Sequence, residues 1–215
     1  MTTTPAPIGH GDEAASAWLR RWAHLLLEGG SVLDVACGRG RHARYLHQRH
    51  QPPQRGLRIV AVDRSAEAIA AIGLPAERCE TCVADIENGP WPFVGRFFDA
   101  VVVTNYLWRP LLPTLLASLA PGGMLIYETF AAGNETVGKP SRPDFLLQPG
   151  ELLQVCQTLR TVAFEDGFEA NTEDRSSPRF VQRIVAVRDP ISGRDAPTSP
   201  PARYRLGEIL APHHP

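Results

Sequence analysis

Acidic residues stand at the ends of three apolar segments, and two glycines follow the first of these acids. Asp34 lies in a short apolar run just ahead of Gly38 and Gly40. Asp63 and Asp85 close two later runs of the same kind. A short apolar run is typical of a strand buried on both faces. Glycines directly after such a strand let the backbone approach a ligand, and the helix that follows presents free N–H groups. The pattern predicts a nucleotide-binding α/β unit.

The charge of Asp34 separates two classes of ligand. Gly38, Gly40 and Ala43 satisfy the dinucleotide fingerprint with alanine in the third place. A carboxylate beside that loop would repel a pyrophosphate. S-adenosylmethionine carries no phosphate, and its ammonium and sulfonium groups would be attracted by Asp34, while the helix start could receive its carboxylate. The charges favour this methyl donor, with an acid that only caps a tight turn as the plainer alternative.

The second acid has the spacing of a ribose-binding residue. Asp63 follows the glycines by about 20 residues, as does the acid that accepts hydrogen bonds from ribose hydroxyls in α/β nucleotide folds. Arg64, the next residue, is expected to flank the base. Three acids that close three successive strands indicate a nucleoside site more strongly than one loop match does.

The segment from Val32 to Gly40 resembles the first motif of class I S-adenosylmethionine-dependent methyltransferases. The similarity extends from about Ser31 to about Val187, and the run from Gly38 to Leu46 is also similar to the tellurite-resistance methyltransferase group, which acts on small soft nucleophiles. The resemblance implies an α/β fold, with a Rossmann-like seven-stranded mostly parallel sheet, helices on both faces and a terminal antiparallel hairpin. It also implies that a carboxylate after the third strand contacts the adenine amino group and that an apolar neighbour packs on the ring.

The implied cofactor is S-adenosyl-L-methionine, and its expected binding residues follow the first four strands. They are Asp34, Ala36, Cys37, Gly38, Gly40, His42, Asp63, Arg64, Asp85, Ile86, Thr104 and Asn105. No metal is expected. Cys79 and Cys82 have the spacing of a zinc knuckle, but no second pair of cysteines accompanies them.

Residues just past the fourth strand should stand where the transferred methyl group emerges, because open α/β sheets bind ligands at the carboxyl ends of their strands. The stretch 131–150 is long enough to be a binding loop. Candidate acceptor contacts in these two places are Tyr106, Trp108, Arg109, Arg142 and Phe145, with ordinary packing as the alternative for the two aromatic residues after the strand. The catalytic residue is left unknown; candidates for a base are Tyr106, His42 and Glu128, the last of which could equally cap a loop.

Apolar periodicity predicts a leading helix over 12–27, capped by Gly11 or Asp12 and stopped by Gly29 and Gly30. In methyltransferases that the chain resembles, such a helix covers the donor pocket; packing on the sheet is an equal alternative. Further helices are predicted at 41–50, from 65, at 111–119 and at 149–156, and strands at 57–63, 80–86, 98–105, 124–130, 161–166 and 180–187. We expect a flexible N-terminus over 1–11, one methyltransferase domain over 12–188 and a proline-rich tail over 189–215.

Composition limits the classes of function. The 215 residues are 43% hydrophobic with a formal net charge of −1, which indicates neither disorder nor a nucleic-acid surface. No apolar run is long enough to span a bilayer and no secretory pattern is visible, so a cytoplasmic protein without a membrane partner is predicted. The expected function is in-line transfer of a methyl group to a small-molecule acceptor, such as a thiol or a metalloid or chalcogen oxyanion. The alternatives are a protein or RNA methyltransferase, a nicotinamide-dependent enzyme and a non-catalytic nucleotide-binding protein. The oligomeric state stays open.

Overall fold

The structure, a computed structural model, describes residues 14–49, 56–170, 177–189 and 202–206. The predicted flexible segment 1–11 and most of the predicted tail lie outside these residues. The strands are β1 Ser31–Val35, β2 Arg58–Asp63, β3 Cys79–Val83, β4 Phe98–Thr104, β5 Leu119–Phe130, β6 Arg160–Glu169 and β7 Arg179–Val187. The α-helices are α1 Ala17–Trp22, α2 Arg41–Arg49, α3 Ala66–Ala70, α4 Leu112–Ala117 and α5 Glu151–Val155, and short 3₁₀ turns occur at Ala23–Leu25, Arg109–Leu111, Asn134–Thr136 and Pro143–Phe145. Within the described part, no helix is long and apolar enough to cross a membrane.

The strands form one seven-stranded sheet in the order β3-β2-β1-β4-β5-β7-β6. The first five pair in parallel, β7 is antiparallel to β5, and β6 is antiparallel to β7. The strand order reverses between β1 and β4, which is where a fold of this kind opens a crevice for a ligand. The predicted fold class, including the terminal antiparallel hairpin, is confirmed.

Side chains alternate between the two faces of the sheet, and each face has its own apolar core. Val32 belongs to the core that α1 and α2 cover, while Leu33 belongs to the core on the opposite face. Trp18 and Trp22 of α1 close the first core, and Leu115 of α4 packs in the second. The predicted helices on both faces are therefore present, and the central strands are buried between them as their apolar composition requires.

The leading helix is shorter than predicted. It begins at Ala17 because Ser16 is its N-cap, with the hydroxyl oxygen accepting hydrogen bonds from the backbone N–H groups of Trp18 and Leu19. It ends at Trp22 and passes into a 3₁₀ turn, so the predicted start at 12 and the glycine stop are wrong. The Trp18 indole N–H donates to the Ile184 carbonyl at 3.3 Å, which places the helix against the sheet as in the packing alternative.

The sequence predicts a helix over 111–119, but residue 119 already belongs to β5, which also contains the segment 121–123. Helix α4 has already ended at Ser118, whose hydroxyl donates to the Thr114 carbonyl at 2.8 Å. The sheet partner of Phe98 is Leu119, and the register shifts before Ala100. A Cβ on Gly123 would lie 2.8 Å from the Phe98 carbonyl, so glycine allows the two strands to approach at this irregularity.

Candidate cofactor site

A cavity of about 140 Å³ opens at the carboxyl ends of β1, β2 and β3. It is lined by Ala36, Asp63, Arg64, Ala84, Asp85, Ile86, Glu87 and Tyr106. The structure thus brings together five residues predicted to bind the cofactor, and adds Tyr106, which was predicted to face the acceptor. Sequence reasoning missed Ala84 and Glu87, because β3 ends at Val83 rather than at Ile86 and the next residues turn into the cavity.

The Asp63 carboxylate connects the end of β2 with the glycine turn after β1. One oxygen accepts a hydrogen bond from the Gly38 backbone N–H at 2.8 Å, and the other accepts from the Ser65 backbone N–H at 2.9 Å. Asp63 therefore holds the wall of the cavity as well as presenting negative charge to it.

The two glycines of the turn differ in their surroundings. Gly38 has a φ of +53°, and a Cβ added there would meet nothing within 4 Å, so its backbone borders open space that a ligand can enter. Gly40 has a φ of +77°, and its Cβ would lie 2.8 Å from the Ile72 side chain. The first glycine therefore suits ligand approach, and the second permits close packing of the turn on the Ile72 side chain.

Two residues other than glycine adopt left-handed backbone conformations at the ends of neighbouring strands. Ala36 follows β1 with a φ of 50°, and Asn105 follows β4 with a φ of 54°. Asparagine tolerates this region, whereas alanine pays a steric cost there. Both residues were predicted to bind the cofactor, but only Ala36 lines the cavity. Strained backbone of this kind is concentrated at functional sites, and nothing in the sequence pattern marks it.

Asp85 shapes the turn that follows β3. One carboxylate oxygen accepts the backbone N–H groups of Glu87 and Asn88 at 3.0 Å and 3.1 Å, and the other accepts the Asn88 side-chain amide at 3.0 Å. The Asn88 hydrogen bonds hold the pKa of this exposed carboxyl below its usual range. Asp85 is therefore ionised at neutral pH, but its oxygens are already engaged by the turn.

Tyr106 enters the cavity from the segment after β4. Its backbone carbonyl accepts a hydrogen bond from the Tyr127 hydroxyl at 2.8 Å. Its own hydroxyl is buried and makes no hydrogen bond of good geometry to the described residues. Burial and then the nearby Glu87 carboxylate raise the pKa of this phenol. A phenol that holds its proton is a donor, which disfavours the proposed role of Tyr106 as a general base.

Four further predicted residues are buried next to the cavity rather than lining it: Asp34, Cys37, His42 and Thr104. His42 Nδ1 lies 3.6 Å from an Asp34 oxygen, and the Thr104 hydroxyl lies 3.4 Å from the ring nitrogens of His42. Neither Asp34 oxygen accepts a hydrogen bond within the described structure, although the residue is only 1% exposed. A buried carboxylate with so few partners favours a cation nearby. Burial, and then Asp34 and Asp63, raise the pKa of the Cys37 thiol, which keeps it neutral.

Glu128 belongs to a buried ion cluster and does not stand free to meet an acceptor. Its carboxylate pairs with the Arg183 guanidinium, lies 3.3 Å from an Arg179 nitrogen and accepts the Ser16 hydroxyl at 3.1 Å. Burial alone would raise its pKa, but Arg183 and Arg179 hold it below the usual range. The partners lie on β7 and ahead of α1, at sequence distances that local patterns cannot reveal.

Of the remaining acceptor candidates, Arg109 is held by hydrogen bonds inside the protein, whereas Arg142 and Phe145 are exposed. Arg109 donates to Glu151 at 2.7 Å and 2.9 Å and to the carbonyls of Asp144 and Leu146. It therefore fixes the stretch 131–150 against α5. Arg142 pairs with Asp144 at 2.8 Å, and its guanidinium lies 5.2 Å from the centre of the Phe145 ring, on the surface of that loop. Trp108 is half-buried. None of these four lines the cavity.

The cysteine pair on β3 does not have the geometry of a pair of metal ligands. Cys79 and Cys82 are three residues apart on β3, so their side chains point to opposite faces of the sheet. Across the described ranges, no group of three or more His, Cys, Asp or Glu residues could hold a metal ion.

Comparisons with known proteins agree with this geometry. Residues 32–123 match the model of a family described as a methyltransferase domain, and no curated protein matches the chain. TehB from Haemophilus influenzae superposes with a TM-score of 0.61 at 18% identity over 78% of this chain, which spans 60% of the TehB chain. An S-adenosylmethionine-dependent methyltransferase from Methanosarcina mazei gives a TM-score of 0.59 at 16% identity, over 82% of this chain and 99% of the other.

A third similar structure was solved with ligands. It is a coclaurine N-methyltransferase bound to N-methylheliamine and S-adenosylhomocysteine, with a TM-score of 0.58 at 13% identity, over 79% of this chain and 70% of that one. At such identities the likeness concerns the fold. The family match covers the first four strands and the start of β5.

Proposed function

We propose that this chain, whose residues 32–123 match the model of a methyltransferase domain, transfers a methyl group from S-adenosylmethionine to a small-molecule acceptor. The observation that supports the donor most is the charge of the cavity. Asp63, Asp85 and Glu87 line it, with Arg64 as the one cation among its walls. Three carboxylates suit a sulfonium nucleoside and repel the diphosphate of a dinucleotide.

The residues present fit the donor in two further respects. The open space beside Gly38 leaves room for a ligand against the backbone, and the Asp34 carboxylate is buried without hydrogen bonds from the described residues. We place the ribose hydroxyls at Asp63 and the base among Ile86, Glu87 and their neighbours. The donor supplies an activated methyl group, which the acceptor takes by in-line displacement as the carbon–sulfur bond breaks. The protein needs chiefly to align the reactants and exclude water.

The state of the three candidate bases favours one class of acceptor. The Tyr106 hydroxyl holds its proton, Glu128 is engaged by two arginines, and His42 is buried beside Asp34. A site without a free base suits an acceptor that is already an anion, or becomes one easily at neutral pH. Thiols and metalloid or chalcogen oxyanions meet that condition, since the thiolate is the nucleophilic form of a thiol.

A protein or RNA substrate finds less support. Such a substrate would favour a basic surface along the loop 131–150, but Arg109 is paired with Glu151 and Arg142 with Asp144. The solved coclaurine N-methyltransferase, by its description, binds the small molecule N-methylheliamine. This likeness in fold agrees with a small acceptor.

Two experiments test the proposal. Calorimetry should detect binding of S-adenosylhomocysteine and none of NAD; binding of NAD alone would reject the donor. A labelled-methyl assay should then transfer label to a thiol or a metalloid oxyanion. Transfer only to the protein or RNA fraction of a cell extract would reject the small-molecule acceptor and leave the donor in place.

A further inference from the structure

The buried carboxylate of Asp34 has one side chain within ion-pair distance among the residues that the structure describes, and that side chain is His42. Asp34 is 1% exposed, and within the same part of the chain neither of its oxygens accepts a hydrogen bond. His42 Nδ1 lies 3.6 Å from one of these oxygens, and the His42 side chain is 3% exposed. A carboxylate so far removed from water needs a cation beside it or a proton of its own. Asp34 and His42 therefore form a pair that takes up or releases a proton as a unit.

The other ionisable groups on the neighbouring elements do not replace the histidine as a partner of Asp34. The Cys37 thiol, in the turn after β1, stays neutral because burial and then Asp34 raise its pKa. Asp63 at the end of β2 accepts two backbone N–H groups, and Glu128 on β5 is paired with arginines of β7. Arg41 is the adjacent residue on α2, and adjacent positions of a helix do not face each other. The charge state of Asp34 is therefore tied to that of the histidine.

The Thr104 hydroxyl can serve the histidine with or without its second proton. It lies 3.4 Å from each ring nitrogen of His42. A hydroxyl both donates and accepts, so it can accept from the charged ring or donate to the neutral one. The surroundings of His42 thus accommodate both states, and the charge next to Asp34 decides between them.

We propose that Asp34 and His42 share a proton in the free protein and release it when the ammonium group of the methyl donor is bound beside them. This inference rests on the proposed function. Ala36 in the cavity wall and the open space beside Gly38 follow Asp34 directly in the chain, so a cation bound there lies close to the pair. A second positive charge at that place repels the imidazolium. His42 then gives its proton to solvent, and Asp34 takes the ammonium group as its counterion.

The first test counts protons by calorimetry on the full chain, with S-adenosylhomocysteine titrated in two buffers of different ionisation enthalpy. We expect release of about one proton for each molecule bound at about pH 6.5. The affinity should accordingly fall by up to about ten-fold for each unit by which the pH is lowered. The matched ligand is 5′-methylthioadenosine, which has the nucleoside and the sulfur atom but no ammonium group. It should bind without proton release and with an affinity independent of pH in this range.

The second test observes the ring nitrogens of His42 by nuclear magnetic resonance, with the signal identified by its absence in His42→Gln. At about pH 6.5 the signal should change from imidazolium to neutral imidazole on addition of S-adenosylhomocysteine, and should not change with 5′-methylthioadenosine. Asp34→Asn should abolish the proton release and weaken binding of S-adenosylhomocysteine by about ten-fold or more. Asp99→Asn, at the far ends of the strands, is the matched control and should alter neither quantity.

The outcomes separate this inference from the proposed function. Binding of S-adenosylhomocysteine without proton release, or equal release with 5′-methylthioadenosine, would overturn the inference while the proposed function stands. A His42 signal that is the same before and after binding would overturn it as well. A folded wild type that binds neither compound would overturn both. The resonance measurement uses the wild type, so it decides the question even if Asp34→Asn does not fold.

Discussion

The Asp63 carboxylate accepts a hydrogen bond from the Gly38 backbone N–H at 2.8 Å, so the acid that ends β2 holds the glycine turn that follows β1. The residue therefore supports the turn and also lines the cavity in which we propose that the donor binds. Variants of Asp63 must therefore be judged on stability and on affinity together.

Replacing Asp63 with alanine should weaken binding of S-adenosylhomocysteine by about ten-fold or more, through lost charge-assisted hydrogen bonds. Calorimetry measures the affinity, and a denaturant titration measures the free energy of unfolding. Asp99→Ala is the matched control, because Asp99 accepts the Ser31 N–H at 2.7 Å and its hydroxyl at 2.9 Å at the far ends of the strands. Asp99→Ala should lower the free energy of unfolding and leave the affinity for S-adenosylhomocysteine unchanged. If Asp63→Ala also leaves that affinity unchanged, Asp63 does not belong to the binding site.

Replacing Ala36 with glycine should raise the free energy of unfolding by about 1 kcal/mol, because glycine accepts the left-handed conformation that alanine pays for. Ala43→Gly, at a buried helical residue of α2, should lower it by a similar amount. Denaturant titrations of both variants check the prediction. A destabilised Ala36→Gly would show that the backbone there is not strained.

Glu128→Gln should lower the free energy of unfolding by about 3 kcal/mol or more, since it removes the buried partner of Arg183 and Arg179. Glu165→Gln is the control in the same cluster. The Glu165 side chain is 42% exposed and pairs with Arg183 at 3.1 Å, so its loss should cost less than about 1 kcal/mol. If both substitutions lowered the free energy of unfolding by the same amount, the burial of Glu128 would not be the reason for its large effect.

The same cluster predicts how stability depends on pH. The pKa of Glu128 is lower in the folded chain than in the unfolded one, so the carboxylate stabilises the fold above its unfolded pKa of about 4.3. That contribution is lost as the pH falls through the lower, folded pKa. The gap in stability between the wild type and Glu128→Gln should therefore be full at pH 7 and shrink in acid. Denaturant titrations across this range test it, and a constant gap would show that Glu128 does not titrate between the two states.

Arg109→Lys should loosen the loop 131–150, because lysine cannot reproduce the two bonds to Glu151 together with those to the carbonyls of Asp144 and Leu146. Faster hydrogen exchange of the amides at 144–148 is the expected result. Arg142→Lys, which changes an exposed pair with Asp144, should leave the exchange rates as they are. If the wild type and both variants exchanged these amides at similar rates, Arg109 would not be what holds the loop 131–150 in place.

The sheet and much of the cavity wall could be predicted from the sequence because both depend on local patterns. Apolar runs mark buried strands, and an acid or a glycine at the end of such a run occupies the ligand edge of a parallel sheet. Asp63 and Arg64 were found in this way. The cap at Ser16 was missed, because Asp12 and Gly11 offered equally good capping residues at the start of the apolar periodicity.

Contacts between distant segments account for the other differences. The partners of Glu128 lie 55 residues away at Arg183 and 112 residues away at Ser16, so no window of sequence could pair them. Glu87 was not among the predicted site residues because the third strand was expected to run to Ile86, whereas the Asp85 carboxylate accepts the Glu87 backbone N–H and turns the chain there. Side-chain to backbone bonds of this kind compete with strand pairing and end it early.

The ion cluster also bears on how the last two strands find their alignment during folding. Glu128 on β5 lies opposite Arg183 on β7, which lies opposite Glu165 on β6. A slip of β7 by one residue would turn both arginines to the apolar side of the sheet, among Leu125 and Tyr127. Two guanidinium groups buried there without counterions would raise the free energy of the misaligned sheet. The cluster therefore favours one register of β7 against β5 and β6.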